Sequence, residues 1–124
     1  MTQHEVVDHW RRGAKDALDA AVLLIDPSKY PLALFHCHLA LEKILKSAFI
    51  AEHDREPPFT HNLWVMAKQL TRSWPQEEAM ELADLSKYAV AARYDDRLWM
   101  TEEATKEKTV FVLNRTHYYF SLFV

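Results

Sequence analysis

Three polar side chains recur at intervals of four residues along one apolar stretch: His38, Glu42 and Lys46. The apolar residues around them repeat at helical spacing, and residues four apart lie on the same face of a helix. The carboxylate of Glu42 is therefore expected to meet a cationic side chain on either side. Such a row is either a set of salt bridges worth roughly a few tenths of a kcal/mol per pair, or one edge of a polar groove that binds a charged ligand.

The seven histidines and the single cysteine do not indicate a metal site. His36 and His38 are two residues apart on a predicted helix and point in different directions, and the chain has neither a Cys pair nor a His-x-x-x-His pair. Cys37 falls on the apolar stripe and is expected to be a small buried side chain. Gly13 is the only glycine, which excludes a glycine-rich phosphate loop. We predict no metal and no resident cofactor.

The length and charge of the chain limit its class. Its 124 residues predict one domain spanning residues 1–124. The net charge of −3 disfavours a general nucleic-acid coat protein, although a local phosphate site stays compatible with it. The sequence has no basic segment followed by an apolar one at its start, and no apolar run reaches the roughly 20 residues of a membrane span. We expect a cytoplasmic protein.

The apolar spacing predicts five helices and no strands, arranged as an all-α, up-and-down bundle. The first helix begins between Thr2 and His4 and ends before Pro27, because proline disfavours a helical conformation in the residue before it. The central helix runs from Tyr30 to about His53. Thr60 is expected to cap a short third helix, and Phe59 ahead of it to be an apolar plug.

The last two predicted helices carry most of the aromatic residues. Ser73 is expected to cap the fourth helix, which ends around Arg93 and Tyr94, and Thr101 is expected to cap the last. From Val110 onward the last helix is apolar almost all round, more than one side of a small bundle covers. We therefore predict a homodimer. Its interface is expected to remove some of four aromatic residues from solvent: Tyr118, Tyr119, Phe123 and Trp99.

Three short motifs are spread along the chain. The first is Ala33-x-Phe35 with Leu39-Ala40-Leu41-Glu42-Lys43-Ile44-Leu45-Lys46, the second is Thr60-His61-Asn62-Leu63, and the third is Tyr88 followed by Ala92-Arg93-Tyr94 and acidic residues. In this order and spacing they resemble the HEPN domain family of small helical bundles. The resemblance extends from the first helix to the last and implies the same fold.

The resemblance also implies a role for the polar row. Glu42, Lys43 and Lys46 match the family's Glu-Lys-x-x-Lys pattern, and with Arg93 and Tyr94 they are the candidate residues for a phosphate-bearing ligand. The family is frequently paired with a minimal nucleotidyltransferase in toxin–antitoxin-like systems. We therefore expect a non-catalytic, dimeric binding module that acts with such a partner and binds nucleotide or RNA. One alternative is a stand-alone nucleotide-binding module.

The other alternative is catalysis. Many HEPN proteins are described as metal-independent ribonucleases that use Arg, four to six residues, then His near the last long helices, where His transfers a proton and Arg stabilises the phosphate charge. The late helices of this chain lack that spacing, since Arg115 and His117 are only two apart. Arg55 and His61 match it, but in a loop after the central helix. They are weak catalytic candidates, as is a pairing of Arg93 with His117.

Overall fold

A computed structural model describes residues 1–91 and 102–123 of the chain. Five α-helices lie wholly within these ranges: α1 (Gln3–Leu23), α2 (Tyr30–His53), α3 (Leu63–Ala67), α4 (Gln76–Leu85) and α5 (Lys106–Ser121). A 3₁₀ helix, Ser86–Val90, continues directly from α4. No strand occurs in these two ranges, which confirms the predicted all-α bundle of about five helices. The same ranges contain no helix both long enough and apolar enough to cross a membrane.

The first two helices form an antiparallel hairpin. The first helix begins within the predicted range, and Thr2 caps it, because its hydroxyl accepts a hydrogen bond from the backbone N–H of Glu5 at 3.2 Å. At the other end the chain reverses at Ser28, which has a left-handed φ of 60°. The buried face of α1 consists mostly of small residues: Val7, Ala14, Ala17, Leu18 and Ala21. Small side chains let the backbones of α1 and α2 approach closely.

The central helix α2 has the predicted bounds and packs against α1, α3, the 3₁₀ helix and α5. The apolar stripe predicted for α2 consists of Leu34, Cys37, Leu41, Ile44, Ala48 and Ala51. Its first four members are buried, whereas its last, Ala51, is exposed. Because α2 is covered from several directions, polar residues beside the stripe are buried too. The bundle therefore encloses part of the polar row that the sequence places on α2.

The predicted beginnings of the shorter helices are wrong in detail. The N-cap of α3 is Asn62, whose side chain accepts from the N–H groups of Trp64 and Val65, while Thr60 accepts from Asn62 in the turn before it. Pro75 rather than Ser73 directly precedes α4, and Thr105 caps α5. Thr101, the predicted cap, lies outside the described residues. The predicted plug is also wrong: Phe59 is 98% exposed.

The last helix packs on α2 with its buried side and meets α4 through polar contacts. Tyr119 is fully buried within the chain, so it belongs to the core and is not available to a dimer interface. Its hydroxyl and the guanidinium of Arg115 both donate to Glu81 on α4, and Tyr118 donates to Glu78. Tyr118 and Phe123 are half-buried, Phe111 is 59% exposed, and Trp99 lies outside the described residues.

Candidate functional site

The carboxylate of Glu42 is the centre of a polar cluster that joins α2 to the loop before α3. The Glu42 residue is only 8% exposed. Its Oε1 atom accepts a hydrogen bond from Nδ1 of His61 at 2.7 Å and lies 3.9 Å from Nζ of Lys46. The sequence-based expectation of a cation on either side holds for Lys46, but the second contact comes from His61 and not from His38.

His38 instead holds the backbone of the same loop. Its Nε2 atom lies 2.9 Å from the carbonyl oxygen of His61, and since a carbonyl only accepts, this nitrogen carries the proton. Burial lowers the pKa of His38, against the opposing effects of this hydrogen bond and of the Glu42 charge. His38 is therefore a neutral donor at pH 7. Two residues of α2, one turn apart, thus fix the backbone and the ring of His61.

The ring of His61 is held in one orientation but stays accessible. A carboxylate is a hydrogen-bond acceptor, so the Nδ1 atom that faces Glu42 carries a proton and Nε2 is the basic atom of the neutral ring. The side chain is 58% exposed, and its ring centroid lies 6.1 Å from that of Phe59. A carboxylate that orients an accessible imidazole is an arrangement suited to proton transfer.

Lys46 lines a groove of about 630 Å³ between the start of α1, the second half of α2 and the loop after α2. Its ammonium group lies 5.3 Å from the centre of the Trp10 ring. Arg55 and Phe59 contribute to the loop side of this Lys46 groove, together with the acidic residues Asp54 and Glu56. The groove therefore combines an aromatic surface with cations, although two carboxylates lie on its loop side.

Lys43 lines a different cleft of about 570 Å³ on the other side of Trp10, together with His9, Arg12, Gly13, Lys15 and Asp16. Gly13 lies inside α1, where a glycine costs roughly 0.5–1 kcal/mol relative to alanine. A Cβ atom at this position would lie 3.2 Å from both Cδ and Nζ of Lys43. The Lys43 side chain thus lies against the α1 backbone in this Lys43 cleft.

The predicted site residues are distributed over these features. Glu42 and Lys46 are together, Lys43 faces the neighbouring cleft, and Arg93 and Tyr94 lie outside the described residues.

Of the weak catalytic pair, His61 binds Glu42 and the guanidinium of Arg55 lies 4.9 Å from the Phe49 ring. Among the described residues, 1–91 and 102–123, no hydrogen bond or ion pair joins Arg55 to His61. In the part of the chain that is described, no cluster of three or more His, Cys, Asp or Glu side chains is arranged to hold a metal ion.

Sequence reasoning missed two features of the site. The helical spacing of the first helix puts Trp10 on its apolar face and indicates no other role, although the residue is half-buried and lines both the groove and the cleft. The contact between Glu42 and His61 joins residues 19 positions apart. No local signal identifies such a pair, because it depends on how the loop after α2 folds back.

Comparisons with known proteins agree with this architecture. The family profile described as HEPN domain matches residues 7–116. The crystal structure of TT1696 from Thermus thermophilus is similar in fold, with a TM-score of 0.79, 19% sequence identity and 93% of each chain covered. No curated protein matches the sequence. Since the profile covers nearly the whole chain, the protein belongs to the HEPN domain family.

Proposed function

We propose that this HEPN domain is a non-catalytic binding module that takes a phosphate-bearing ligand, a nucleotide or RNA, in the Lys46 groove. The observation that carries the proposal is the ammonium group of Lys46 beside the Trp10 ring inside that groove. An aromatic face stacks on a base, and a neighbouring cation attracts the phosphate. Asp54 and Glu56 disfavour an anion on the loop side of the groove, so the phosphate is expected on the α2 side.

Each predicted ligand-binding residue keeps a role in this proposal. Lys46 supplies the charge, and Glu42 is a positioning residue that holds both Lys46 and His61. Lys43 adds positive charge on the far side of Trp10. Arg93 and Tyr94 stay in the proposed site on the family resemblance alone.

Calorimetric titration with ATP and with a short single-stranded RNA tests the proposal. We expect saturable binding that Lys46→Ala weakens about tenfold or more, because a charge-assisted contact is lost. Trp10→Ala should weaken the binding of ATP more than the binding of inorganic phosphate, because only ATP has a base that can stack on the indole ring.

Lys106→Ala is the matched control, because it removes one exposed lysine at the start of α5. Equal affinities for Lys46→Ala, Lys106→Ala and the wild type would refute the groove as the binding site.

The same proposal includes assembly. We infer a homodimer that acts with a minimal nucleotidyltransferase in a toxin–antitoxin-like pair. Its support is membership of the HEPN family together with the half-buried and exposed aromatic residues of α5. In the alternative of a stand-alone nucleotide-binding module, the domain binds its ligand without that protein. Light scattering with and without that protein separates the two.

A specific observation favours acid–base catalysis as the second candidate: the Glu42 carboxylate orients the accessible ring of His61. A metal-independent ribonuclease built on this pair would use His61 for proton transfer, with Lys46 or Arg55 next to the phosphate. Cleavage of an RNA oligonucleotide should then survive a chelator, disappear in His61→Ala and fall in Glu42→Gln. Cleavage that persists in His61→Ala would assign it to other residues or to a contaminant.

A further inference from the structure

We propose that the Lys43 cleft is a second anion-binding site and that Gly13 is present to seat Lys43 in it. The site lies across Trp10 from the Lys46 groove. Its ligand is a phosphate group, whether inorganic or part of a larger molecule. This inference goes beyond the proposed function, because it does not require the Lys46 groove to be occupied.

The first argument is the position of Gly13. It is the only glycine in the chain and it lies inside a long helix, where another residue would be more stable. Its backbone does not have a positive φ, so the conformation itself does not require glycine. What the position does require is space, since a Cβ atom would press on Cδ and Nζ of Lys43 at 3.2 Å.

The second argument is the charge of the cleft. Its lining contains three cations, Arg12, Lys15 and Lys43, and one acid, Asp16. Lys15 is engaged by Asp19 at 2.6 Å. Within the described ranges 1–91 and 102–123, no carboxylate forms an ion pair with Arg12 or Lys43. Two cations are thus available to one anionic group, and Arg12 brings donors suited to phosphate oxygens.

The cleft also offers a surface beside the anion. His9 and Trp10 both line the cleft, with ring centroids 6.3 Å apart and planes at 80°. The cleft volume of about 570 Å³ is larger than a phosphate needs. A phosphate on Lys43 and Arg12 therefore leaves room for the rest of its molecule along His9.

Titration with inorganic pyrophosphate at low salt, followed by calorimetry, tests this site. We expect Lys43→Ala to weaken binding about tenfold and Gly13→Ala about threefold or more, because the added methyl group displaces the lysine by a few tenths of an ångström. The melting temperature of Gly13→Ala should stay the same or rise by a few degrees, because alanine favours the helix. A more stable protein that binds less tightly is the expected signature.

Two other variants separate this inference from the proposed function. Lys106→Ala should leave pyrophosphate affinity within about twofold of the wild type, whereas Lys46→Ala should leave in place the part of the binding that Lys43→Ala removes. Loss of affinity in Lys46→Ala but not in Lys43→Ala would place the anion in the groove, which overturns this inference and leaves the proposed function intact. Absence of saturable binding by the wild type, or equal affinities for Lys43→Ala and Lys106→Ala, would also overturn it.

Discussion

Cys37 and His38 lie side by side on the buried part of α2, and burial affects their pKa values in opposite directions. Burial raises the pKa of the Cys37 thiol to about 11, since the thiolate is the charged form. For His38 the charged form is the protonated ring, so burial lowers its pKa. Both residues are therefore neutral at pH 7, which agrees with the expectation of a small buried cysteine rather than a nucleophile.

The lowered pKa of His38 predicts a loss of stability in acid. Below about pH 6.5, the ordinary pKa of histidine, His38 binds a proton in the unfolded chain but not in the folded chain. Stability is thus fully present above that pH and is lost as the pH falls toward the folded pKa. Glu42 opposes this shift, whereas protonated His61 and Lys46 reinforce it.

Urea unfolding at pH 7.5 and pH 5.5 measures the effect. His38→Gln can still donate to the His61 carbonyl but does not titrate, so we expect its free energy of unfolding to fall less between the two pH values than that of the wild type. His117→Gln, at an exposed position on α5, is the control and should follow the wild type. Identical pH dependence in all three proteins would show that His38 does not carry the acid sensitivity.

At the scale of helices, how well the bounds of a helix can be predicted from the sequence depends on the length of that helix. The bounds of α1 and α2 follow from a spacing that persists for 21 and 24 residues, so a local error has little effect. The five-residue α3 has no such support, and both Thr60 and Asn62 are good N-cap residues. The tertiary structure decides between them: the backbone N–H of Leu63 donates to Ser86 at 2.8 Å, a contact that no local pattern contains.

The assignment of Asn62 as the cap predicts unequal effects of two neighbouring substitutions. Asn62→Ala removes the acceptor for two N–H groups at the start of α3 and should lower the free energy of unfolding by about 1 kcal/mol. Asn62→Asp keeps an acceptor and should cost much less. Thr60→Ala is the comparison, because it removes only the hydrogen bond to Asn62 in the preceding turn. Urea unfolding that ranks Thr60→Ala as the more damaging change would contradict the assignment.

At the scale of the whole molecule, the candidate site comes from the register between two helices. Gly13 faces Lys43, and Trp10, three residues earlier on α1, meets Lys46, three residues later on α2, as antiparallel packing requires. The motifs were sufficient to predict the fold and to select Glu42 and Lys46. They could not assign Lys43 and Lys46 to different clefts, because that division depends on the residue of α1 opposite each lysine. The net charge of −3 likewise conceals a local excess of cations.

The proposed assembly depends on what covers α5. Phe111 is 59% exposed on this helix, and we expect it to be buried against a second copy of the chain. Light scattering should give twice the mass of one chain for the wild type and the mass of a single chain for Phe111→Asp. Leu23→Asp, which places the same charge at another exposed apolar position at the end of α1, should stay dimeric.

Adding a purified minimal nucleotidyltransferase to the same measurement separates the paired module from the stand-alone one. A paired module forms a complex of higher mass, and it should survive Lys46→Ala if the groove serves the ligand and not the partner protein. A dimer that ignores the added protein would support the stand-alone module. A wild-type monomer that does not bind the added protein would refute the assembly. Phe111 would then be exposed to solvent without a partner, so Phe111→Asp should leave both the mass and the stability of the protein unchanged.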